Sequence, residues 1–528
     1  MTLRSLLVLP VAVTLSLSVL VAGCSRSPDT NNAAPADNAN TFHILAASEL
    51  KDLEPDLTQS AQAVGVSIKI DYAGSLEMVD RINAHEPFDA ILPASSAYPM
   101  LALNDKPKAQ DKLFYSKIAL GVKTSKAQQL GWITTPPTWA KVVNAVQSGQ
   151  FRYGMTNPIA SNSGMSALFA LTLASAGKAD NLQASDIKKP VLQQFLKGQA
   201  LTAGSSGWLA DTYRQEQNRL DGLINYEAVL MRLNQQPQLQ DKLSLIYPQD
   251  GVISADYPLM LLNDAHRTDY QKLVARFKAP AFQTVIAQRF LRPANPAVKS
   301  QLPATSATEL SYPNQLSTID AVLTAYQQDS KKPSTTIYVL DTSGSMEGAR
   351  MSDLKHALNY LTGLNATSLT ERLTRFQPRE QLIFLPFSSE VKTAQTLVID
   401  PKQPDVQRQA ISTLVNQLYA DGGTALYDAL DQAVQIALLK QHANPEQIVS
   451  IVLMTDGVQT EGQSFAQWQA QSLPRLQSQH APIRIFPILF GEAPTDELST
   501  IAQESRGKTF ESRQDNLSKA FRDIRAYQ

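Results

Sequence analysis

The segment that most constrains the fold is an apolar run, residues 336–340, that leads into Asp-Thr-Ser-Gly-Ser at residues 341–345. The run has the composition of a buried strand, and a helical pattern begins near Arg350. A carboxylate and two hydroxyls therefore stand on a turn at the carboxyl end of a strand, where open parallel sheets bind ligands. Such oxygen ligands suit Mg²⁺, which keeps several waters and takes few carboxylates from one protein.

Two later segments could complete the same site. Residues 422–426, Gly-Gly-Thr-Ala-Leu, place a hydroxyl on a glycine-rich turn before a helix. Residues 448–454 have the pattern of a buried strand, and Thr-Asp-Gly follows at residues 455–457. The sequence therefore predicts that five side chains converge at one edge of a sheet: Asp341, Ser343, Ser345, Thr424 and Asp456.

These three motifs, in this order, resemble the von Willebrand factor type A domain and its metal-ion-dependent adhesion site. The resemblance covers roughly residues 333–528, and the first motif, the threonine and the Thr-Asp-Gly are all present. It implies a doubly wound, Rossmann-like sheet with a bound metal, Mg²⁺ or else Mn²⁺ or Ca²⁺. A vestigial site without metal is the alternative.

The family's chemistry assigns a role to each predicted ligand. Ser343 and Ser345 would bind Mg²⁺ directly, and Thr424 would join them when ligand is engaged. Asp341 and Asp456 would act largely through bound waters. The resemblance then implies an open coordination position that takes an Asp or Glu from a partner protein.

The N-terminus has the pattern of a targeting segment. Arg4 precedes an apolar run over residues 6–22, which Pro10 and three hydroxyl residues make a poor permanent membrane span. Residues 1–23 are therefore interpreted as a signal peptide. The ending Val-Ala-Gly-Cys resembles a bacterial lipoprotein box, which implies cleavage before Cys24 and lipid on Cys24. An ordinary signal peptide with a chance cysteine is the alternative.

The segment that follows predicts a tether to the cell envelope. Residues 24–41 are rich in Ser, Asn, Ala and Pro and have little to bury, so they are expected to be disordered. Cys24 is the one cysteine of the chain, which excludes a disulfide within it. Ser25 is not the aspartate that retains lipoproteins at the inner membrane, which favours the outer membrane if the host is Gram-negative.

Residues 42–329 are predicted to form a second globular region. Strand patterns over residues 42–47, 66–72 and 88–92 alternate with helical patterns, and this rhythm predicts a parallel sheet with helices on both faces. Further strands are expected at residues 118–122 and 152–155.

Short hydroxyl residues recur where strands of this region give way to helices. Such transitions include the segments Ala-Ala-Ser at 46–48, Gly-Ser at 74–75, Ser-Asn-Ser-Gly at 161–164 and Asn-Tyr-Glu at 225–227. They resemble bacterial extracellular solute-binding proteins with two lobes, in particular the branch that binds oxyanions. The predicted ligand-binding residues are Ser48, Ser75, Ser161, Ser163 and Tyr226.

Two observations weigh against an anion in that cleft. Serines at helix starts are most often N-caps, because their hydroxyls accept from free backbone N–H groups. Glu227 would also disfavour an anion unless a Lys or Arg pairs with it. The ligand class therefore stays open, between an oxyanion and another small solute.

The expected organisation places a linker at residues 330–334 and the metal-binding domain at residues 335–528. Net charge is −1, which gives no electrostatic case for nucleic acid. The six histidines show no zinc spacing. Ser-x-x-Lys recurs along the chain, for example at residues 48–51, 185–188 and 352–355, without its companion motifs, and we expect no catalysis.

The sequence therefore predicts a membrane-anchored, non-catalytic envelope lipoprotein that couples a solute-binding domain to an Mg²⁺-dependent protein-interaction domain. Its expected partners are an envelope protein that presents an Asp or Glu, a small solute, and the membrane through the lipid. One alternative is a receptor that delivers a solute to a transport system. Another is an adhesion or scaffold protein with a vestigial cleft.

Overall fold

The computed structural model of the chain describes residues 41–479, 481–512 and 517–528. The predicted signal peptide, the lipid site at Cys24 and all but the last residue of the predicted tether lie outside the described residues. Within those described ranges, no helix has both the length and the apolar character that a membrane span requires.

The strands of the first region follow the apolar runs of the sequence. They are β1 (Thr41–Ala47), β2 (Ser67–Ala73), β3 (Ala90–Leu92), β4 (Ala109–Lys112), β5 (Phe114–Lys123), β6 (Tyr153–Thr156), β7 (Gln199–Ala203), β8 (Gly222–Tyr226), β9 (Leu243–Ile246), β10 (Ser254–Ala255), β11 (Pro258–Leu261) and β12 (Arg292–Pro293). The five strands predicted from the sequence correspond to β1, β2, β3, β5 and β6, with ends shifted by a few residues.

Helices connect most of these strands. They are α1 (Glu54–Gln62), α2 (Ser75–Asn83), α3 (Ala97–Ala102), α4 (Thr124–Gln129), α5 (Trp139–Gln147), α6 (Asn162–Ala176), α7 (Lys189–Leu196), α8 (Ser206–Glu216), α9 (Glu227–Asn234), α10 (Arg267–Lys278), α11 (Pro280–Gln288) and α12 (Leu316–Thr324). A 3₁₀ turn over Ser48–Leu53 precedes α1, and a π-helical turn over Ala325–Ser330 follows α12.

The strands of this region form two sheets, which define a first and a second lobe. The first lobe has the strand order β2–β1–β3–β11–β4, and the second has β10–β5–β8–β6–β7 with β9 and β12 also paired to β5. The chain crosses between the lobes at the hinge residues 256–257, between β10 and β11.

The parallel pairing expected for the first strands is found between β1 and β3, but both lobes also contain antiparallel pairs. In the first lobe β1 and β3 are parallel, but β11 is antiparallel to β3 and β4. In the second lobe β5 is antiparallel to β8, because β5 enters that lobe from the hinge rather than through a helical crossover. The β-α-β alternation at the start of this region describes only neighbouring segments, so it does not predict later strands such as β11 that return antiparallel to the sheet.

The C-terminal domain, here the residues from β13 to the chain end, is built on a third sheet. Its strands are β13 (Ser334–Asp341), β14 (Glu380–Phe387), β15 (Gln395–Val398), β16 (Ile448–Thr455), β17 (Arg484–Leu489) and β18 (Phe510–Glu511). Its helices are α13 (Ala349–Thr362), α14 (Leu369–Thr374), α15 (Pro404–Asn416), α16 (Leu426–Ala443), α17 (Phe465–Gln471), α18 (Leu473–Gln477), α19 (Thr495–Glu504) and α20 (Leu517–Arg525).

The third sheet has the order β15–β14–β13–β16–β17–β18. Its strands are parallel except for the edge strand β15, which pairs antiparallel to β14. Every residue of β13 is buried, because helices cover both faces of the sheet. Separate apolar clusters lie on the two faces, and this is the doubly wound architecture that the sequence indicated.

Local sequence signals shape two helical segments of the C-terminal domain. Residues 465–477 form two helices, α17 and α18, rather than one, because Pro474 lies at the start of the second. Helix α14 was not predicted, although its capping box of Ser368 and Glu371 is a legible sequence signal.

The C-terminal domain contacts both lobes. At the first lobe, Glu77 of α2 pairs with Lys519 and Arg522 of α20, at 3.1 and 3.2 Å. At the second lobe, Glu216 of α8 accepts from Arg484 of β17 at 2.6 Å, and both side chains are buried. The C-terminal domain therefore bridges the two lobes through charged pairs.

Candidate metal centre and solute cleft

The predicted metal ligands lie on neighbouring strand ends. Strands β13 and β16 are parallel neighbours with Leu340 opposite Met454, so Asp341 and Thr455 emerge side by side. Asp456 follows directly. The register of two buried strands thus fixes the positions of both carboxylates.

Hydrogen bonds join four of the five predicted ligands in one cluster. Asp341 accepts from the Ser343 backbone N–H at 2.8 Å and from the Thr455 hydroxyl at 2.6 Å. The Ser343 and Ser345 hydroxyls are 2.9 Å apart, and the Ser345 hydroxyl donates to Asp456 at 2.8 Å. We call Asp341, Ser343, Ser345 and Asp456 the oxygen cluster.

Thr424 stands on a loop that contacts the oxygen cluster through backbone. Gly344 donates to the carbonyl of Gly422 at 2.9 Å, and a Cβ on Gly344 would lie 3.2 Å from that oxygen. Thr424 itself is 5 % exposed, and its N–H donates to the Thr460 hydroxyl at 2.8 Å. The glycine-rich turn therefore brings the Thr424 loop against the first motif.

The two carboxylates of the cluster are fully buried, with 0 % exposure for Asp341 and Asp456. Burial raises the pKa of Asp341, hydrogen bonds from Ser343 and Thr455 oppose that rise, and the charge of Asp456 adds to it. Arg350 lies 2.5 Å from Asp456 and forms an ion pair with it. Within the ranges that the structure covers, Asp341 has no ion-pair partner.

This donor set fits a hard divalent cation. All its side-chain donors are oxygens, and two buried carboxylates facing one guanidinium leave a negative charge that needs a counter-charge. In the described ranges no three His, Cys, Asp or Glu side chains gather as a metal group. A site of two carboxylates with hydroxyls leaves room for waters, as Mg²⁺ requires. The ion pair between Arg350 and Asp456 was not predicted from the sequence. The available signal was the position of a cationic residue at the start of the helix that follows the first motif.

Two of the predicted solute ligands, Ser161 and Ser163, belong to one buried network of hydroxyls. Ser163 is 0 % exposed. Its hydroxyl lies 2.8 Å from those of Thr156 and Ser206 and 3.2 Å from that of Ser161. One hydroxyl has one donor and two acceptor positions, so these contacts fill its capacity. Ser161, on the same network, is 2 % exposed.

The two lobes touch at the next pair of predicted residues. Ser75 of the first lobe donates to Asn162 of the second at 3.5 Å, and Asn162 in turn donates to the Tyr226 hydroxyl at 2.9 Å. A Cβ on Gly74 would lie 2.0 Å from the carbonyl oxygen of Ala160. The inner part of the cleft is therefore closed by direct contact between the lobes.

Space remains at the outer part of the cleft. Ser48 lines a chamber of about 370 Å³ whose wall is formed by both lobes and the C-terminal domain. Of the five predicted solute ligands, Ser48 is the one placed on this chamber.

Glu227 is neutralised by a cation, which removes one objection to an anionic solute. Arg292 holds both of its carboxylate oxygens at 2.6 and 2.8 Å, and the Tyr247 hydroxyl donates to it at 2.6 Å. Sequence reasoning named this requirement but did not identify the arginine, which lies 65 residues away in the chain.

The two-lobed fold and the doubly wound C-terminal sheet define a chain made of two kinds of domain. Residues 42–292 match the family model described as bacterial extracellular solute-binding protein, and residues 337–524 match that of the von Willebrand factor type A domain. The chain therefore joins a domain of the first family to a domain of the second.

Among curated proteins, the chain is similar to inter-alpha-trypsin inhibitor heavy chain H4. The bovine (Bos taurus) protein is 30% identical over 138 residues, which are 25% of this chain and 13% of that protein. The pig (Sus scrofa) protein is 27% identical over 183 residues, 33% of this chain and 18% of that protein. The chain thus spans less than a fifth of the length of these relatives.

Among solved structures, similar ones include bacterial binding proteins. The sulfate-binding protein SubI from Mycobacterium tuberculosis H37Rv is 16% identical with a TM-score of 0.38, over 49% of this chain and 88% of that one. Iron-bound HitA from Pseudomonas aeruginosa is 12% identical with a TM-score of 0.42, over 54% and 97%. A periplasmic thiamin binding protein is 14% identical with a TM-score of 0.41, over 54% and 96%.

Proposed function

We propose that this chain is a non-catalytic cell-envelope lipoprotein, anchored through Cys24, that couples solute binding to Mg²⁺-dependent binding of a protein partner. The observation that carries the proposal is the oxygen cluster, in which hydroxyls join two fully buried carboxylates at the edge of the third sheet. The match of residues 337–524 to the von Willebrand factor type A family supports it.

In the proposed metal site, the residues of this chain have different roles. Ser343, Ser345 and, with a partner engaged, Thr424 would hold Mg²⁺ through hydroxyl oxygens, and Asp341 and Asp456 through waters. The bound ion would supply a position for a carboxylate of the partner. Arg350 holds one oxygen of Asp456 in place and balances part of the buried charge.

The coupling rests on the way the C-terminal domain bridges both lobes. Glu77 of the first lobe and Glu216 of the second pair with different elements of that domain, α20 and β17. Movement of one lobe against the other must break or shift these contacts. The state of the cleft and the position of the C-terminal domain therefore depend on each other.

The chamber of about 370 Å³ favours solute holding over a purely structural cleft. Pockets for small molecules start at roughly 300 Å³. A cleft filled throughout by its own side chains would instead favour the adhesion or scaffold alternative.

Site-specific photocrosslinking in the host cell tests the partner half of the proposal. A photoreactive residue replaces Val458, which is 61% exposed and two positions beyond Asp456. We expect a crosslinked partner that disappears in an Asp341→Ala background and after chelation of divalent ions, because the partner's carboxylate needs the metal.

The matched control places the same photoreactive residue at Leu439, which is 70% exposed on α16. Crosslinks from Leu439 are expected to be indifferent to Asp341→Ala. A Val458 crosslink that survives chelation, or an equal response at both positions, contradicts metal-dependent partner binding.

A further inference from the structure

We propose that the solute site is the chamber itself, a composite of both lobes and the C-terminal domain, and that it takes a small organic dianion. This inference rests on the proposed solute-binding function and names the site and the ligand class. The C-terminal domain then supplies part of the solute pocket in addition to its metal site.

Residues of three structural units form the chamber wall. The first lobe contributes the segment after β1 and the end of β2, the second contributes the segments after β6 and β7, and the C-terminal domain contributes β18, α20 and the residues after it. Representative lining residues are Lys51, Tyr72, Asn157, Ser205, Lys508 and Tyr527.

The C-terminal wall is packed tightly against the second lobe. The ring of Tyr527 lies against Gly204, where a Cβ would come within 2.6 Å of a ring carbon. Trp208 meets the same ring edge-on, with centroids 4.8 Å apart. The C-terminal domain therefore forms the chamber wall on this side, and the lobes by themselves would lack that wall.

Most charges on the wall are balanced by neighbours. Lys519 and Arg522 share Glu77, and Lys519 also pairs with Asp523 at 2.8 Å. Arg525 holds both carboxylate oxygens of Glu380 at 2.7 Å. These pairs leave little net charge in their part of the wall.

Two lysines on the chamber remain without a carboxylate in the ranges that the structure describes. Lys508 donates to the Tyr527 hydroxyl at 2.9 Å and lies over the rings of Phe510 and Tyr527, at 5.1 and 5.0 Å from their centroids. Lys51 lines the chamber from the first lobe. These two lysines give the chamber wall about two uncompensated positive charges, which a ligand with two negative charges would balance.

The amino end of α8 adds a further favourable feature for an anion. Gly204 and Ser205 line the chamber immediately before this helix, whose first N–H groups favour negative charge. A volume of about 370 Å³ exceeds what an inorganic oxyanion fills. A dicarboxylate or a phosphate monoester of a small alcohol has both the charge and the size.

Isothermal titration of the purified protein tests the inference with four named probes at low ionic strength. Succinate and glycerol 3-phosphate distinguish a dicarboxylate from a phosphate monoester, sulfate is the inorganic dianion, and glycerol is the neutral control. We expect one of the two organic dianions to bind at one site per chain, and glycerol not to bind.

Single substitutions locate the binding site. Lys508→Met and Lys51→Met are each expected to weaken binding about tenfold or more, since each removes a charge-assisted contact. Lys402→Met, at an exposed lysine before α15, is the matched control and should change nothing. Lys508→Gln repeats the test with a polar side chain if the methionine variant unfolds.

Two outcomes overturn the inference. Binding of neither organic dianion, or of sulfate in preference to both, removes the ligand class. Binding that Lys51→Met weakens and Lys508→Met leaves unchanged removes the composite site. A parallel Mg²⁺ titration of the wild-type protein separates the two proposals. If the protein binds Mg²⁺ but no organic dianion, the proposed solute site is wrong and the metal site stands. If it binds an organic dianion but no Mg²⁺, the proposed metal site is wrong and the solute site stands.

Discussion

Hydroxyl side chains at strand ends have different surroundings in the two halves of this protein. In the oxygen cluster, the Ser343 and Ser345 hydroxyls lie beside carboxylates that are completely buried. In the lobes, the Ser163 hydroxyl is surrounded by other hydroxyls and has no capacity left. This difference in nearby buried charge is the reason that we propose a metal site at the oxygen cluster and none at Ser163.

The largest expected effect comes from forcing the closed cleft apart. In Gly74→Ala, the new methyl group would lie 2.0 Å from a backbone oxygen of the other lobe, so backbone must move. We expect a loss of about 3 kcal/mol in the free energy of unfolding, typical of severe overpacking. Chemical denaturation measures it, and small-angle scattering should show a larger radius of gyration.

Gly207→Ala is the matched control for that variant. Gly207 lies in the first turn of α8, and a Cβ there meets nothing within 4 Å. Its stability should stay within about 0.5 kcal/mol or rise slightly, because alanine is the better helix former. Equal effects of the two substitutions would show that the lobes do not touch at Gly74.

A smaller effect is expected at a buried cation outside both regions, Lys331, which follows the π-helical turn. Burial lowers its pKa to about 8 from 10.5, the charge of Arg525 adds to this, and Glu380 opposes it. Below pH 8 both the folded and unfolded states carry the charge, so the burial cost is fully present. Between pH 8 and 10.5 the folded state has lost the proton, and stability rises.

Lys331→Met sharpens the comparison, because it tests whether uncompensated buried charge costs stability where no ligand is proposed. At pH 7 the variant should be more stable than the parent by roughly 2 kcal/mol. The gap should shrink as pH rises through the window from 8 to 10.5, as followed by denaturation at several pH values. A constant gap would mean that Lys331 is not the titrating group.

The sequence was sufficient for the parts of the fold that are local. The apolar run before Asp341 predicted β13, and the order of three motifs predicted which strand ends approach one another. It failed for β11, whose antiparallel return depends on contacts with β3 and β4 far away in the chain. Long-range pairing of short strands leaves no periodic signal.

The residues of the candidate sites also differ in whether the sequence could predict their positions. Asp341 and Asp456 could be placed together because strand register carries them there. The engagement of Ser163 with Thr156 and Ser206 could not be predicted, because three different segments supply the hydroxyls. The chamber could not be predicted either. Lys51 and Lys508 of its wall are hundreds of residues apart in the chain, and the wall depends on how the C-terminal domain packs against the lobes.

Calorimetric titration of Mg²⁺ into the wild-type protein, Asp341→Ala and Ser163→Ala tests the central claim most directly. We expect one Mg²⁺ site in the wild type, loss of that site in Asp341→Ala, and an unchanged affinity in Ser163→Ala. Ser163→Ala should still cost about 1 kcal/mol of stability, because its partners lose a buried hydrogen bond. An absence of Mg²⁺ binding to the wild type at millimolar concentrations, or equal affinity in Asp341→Ala, would contradict the account.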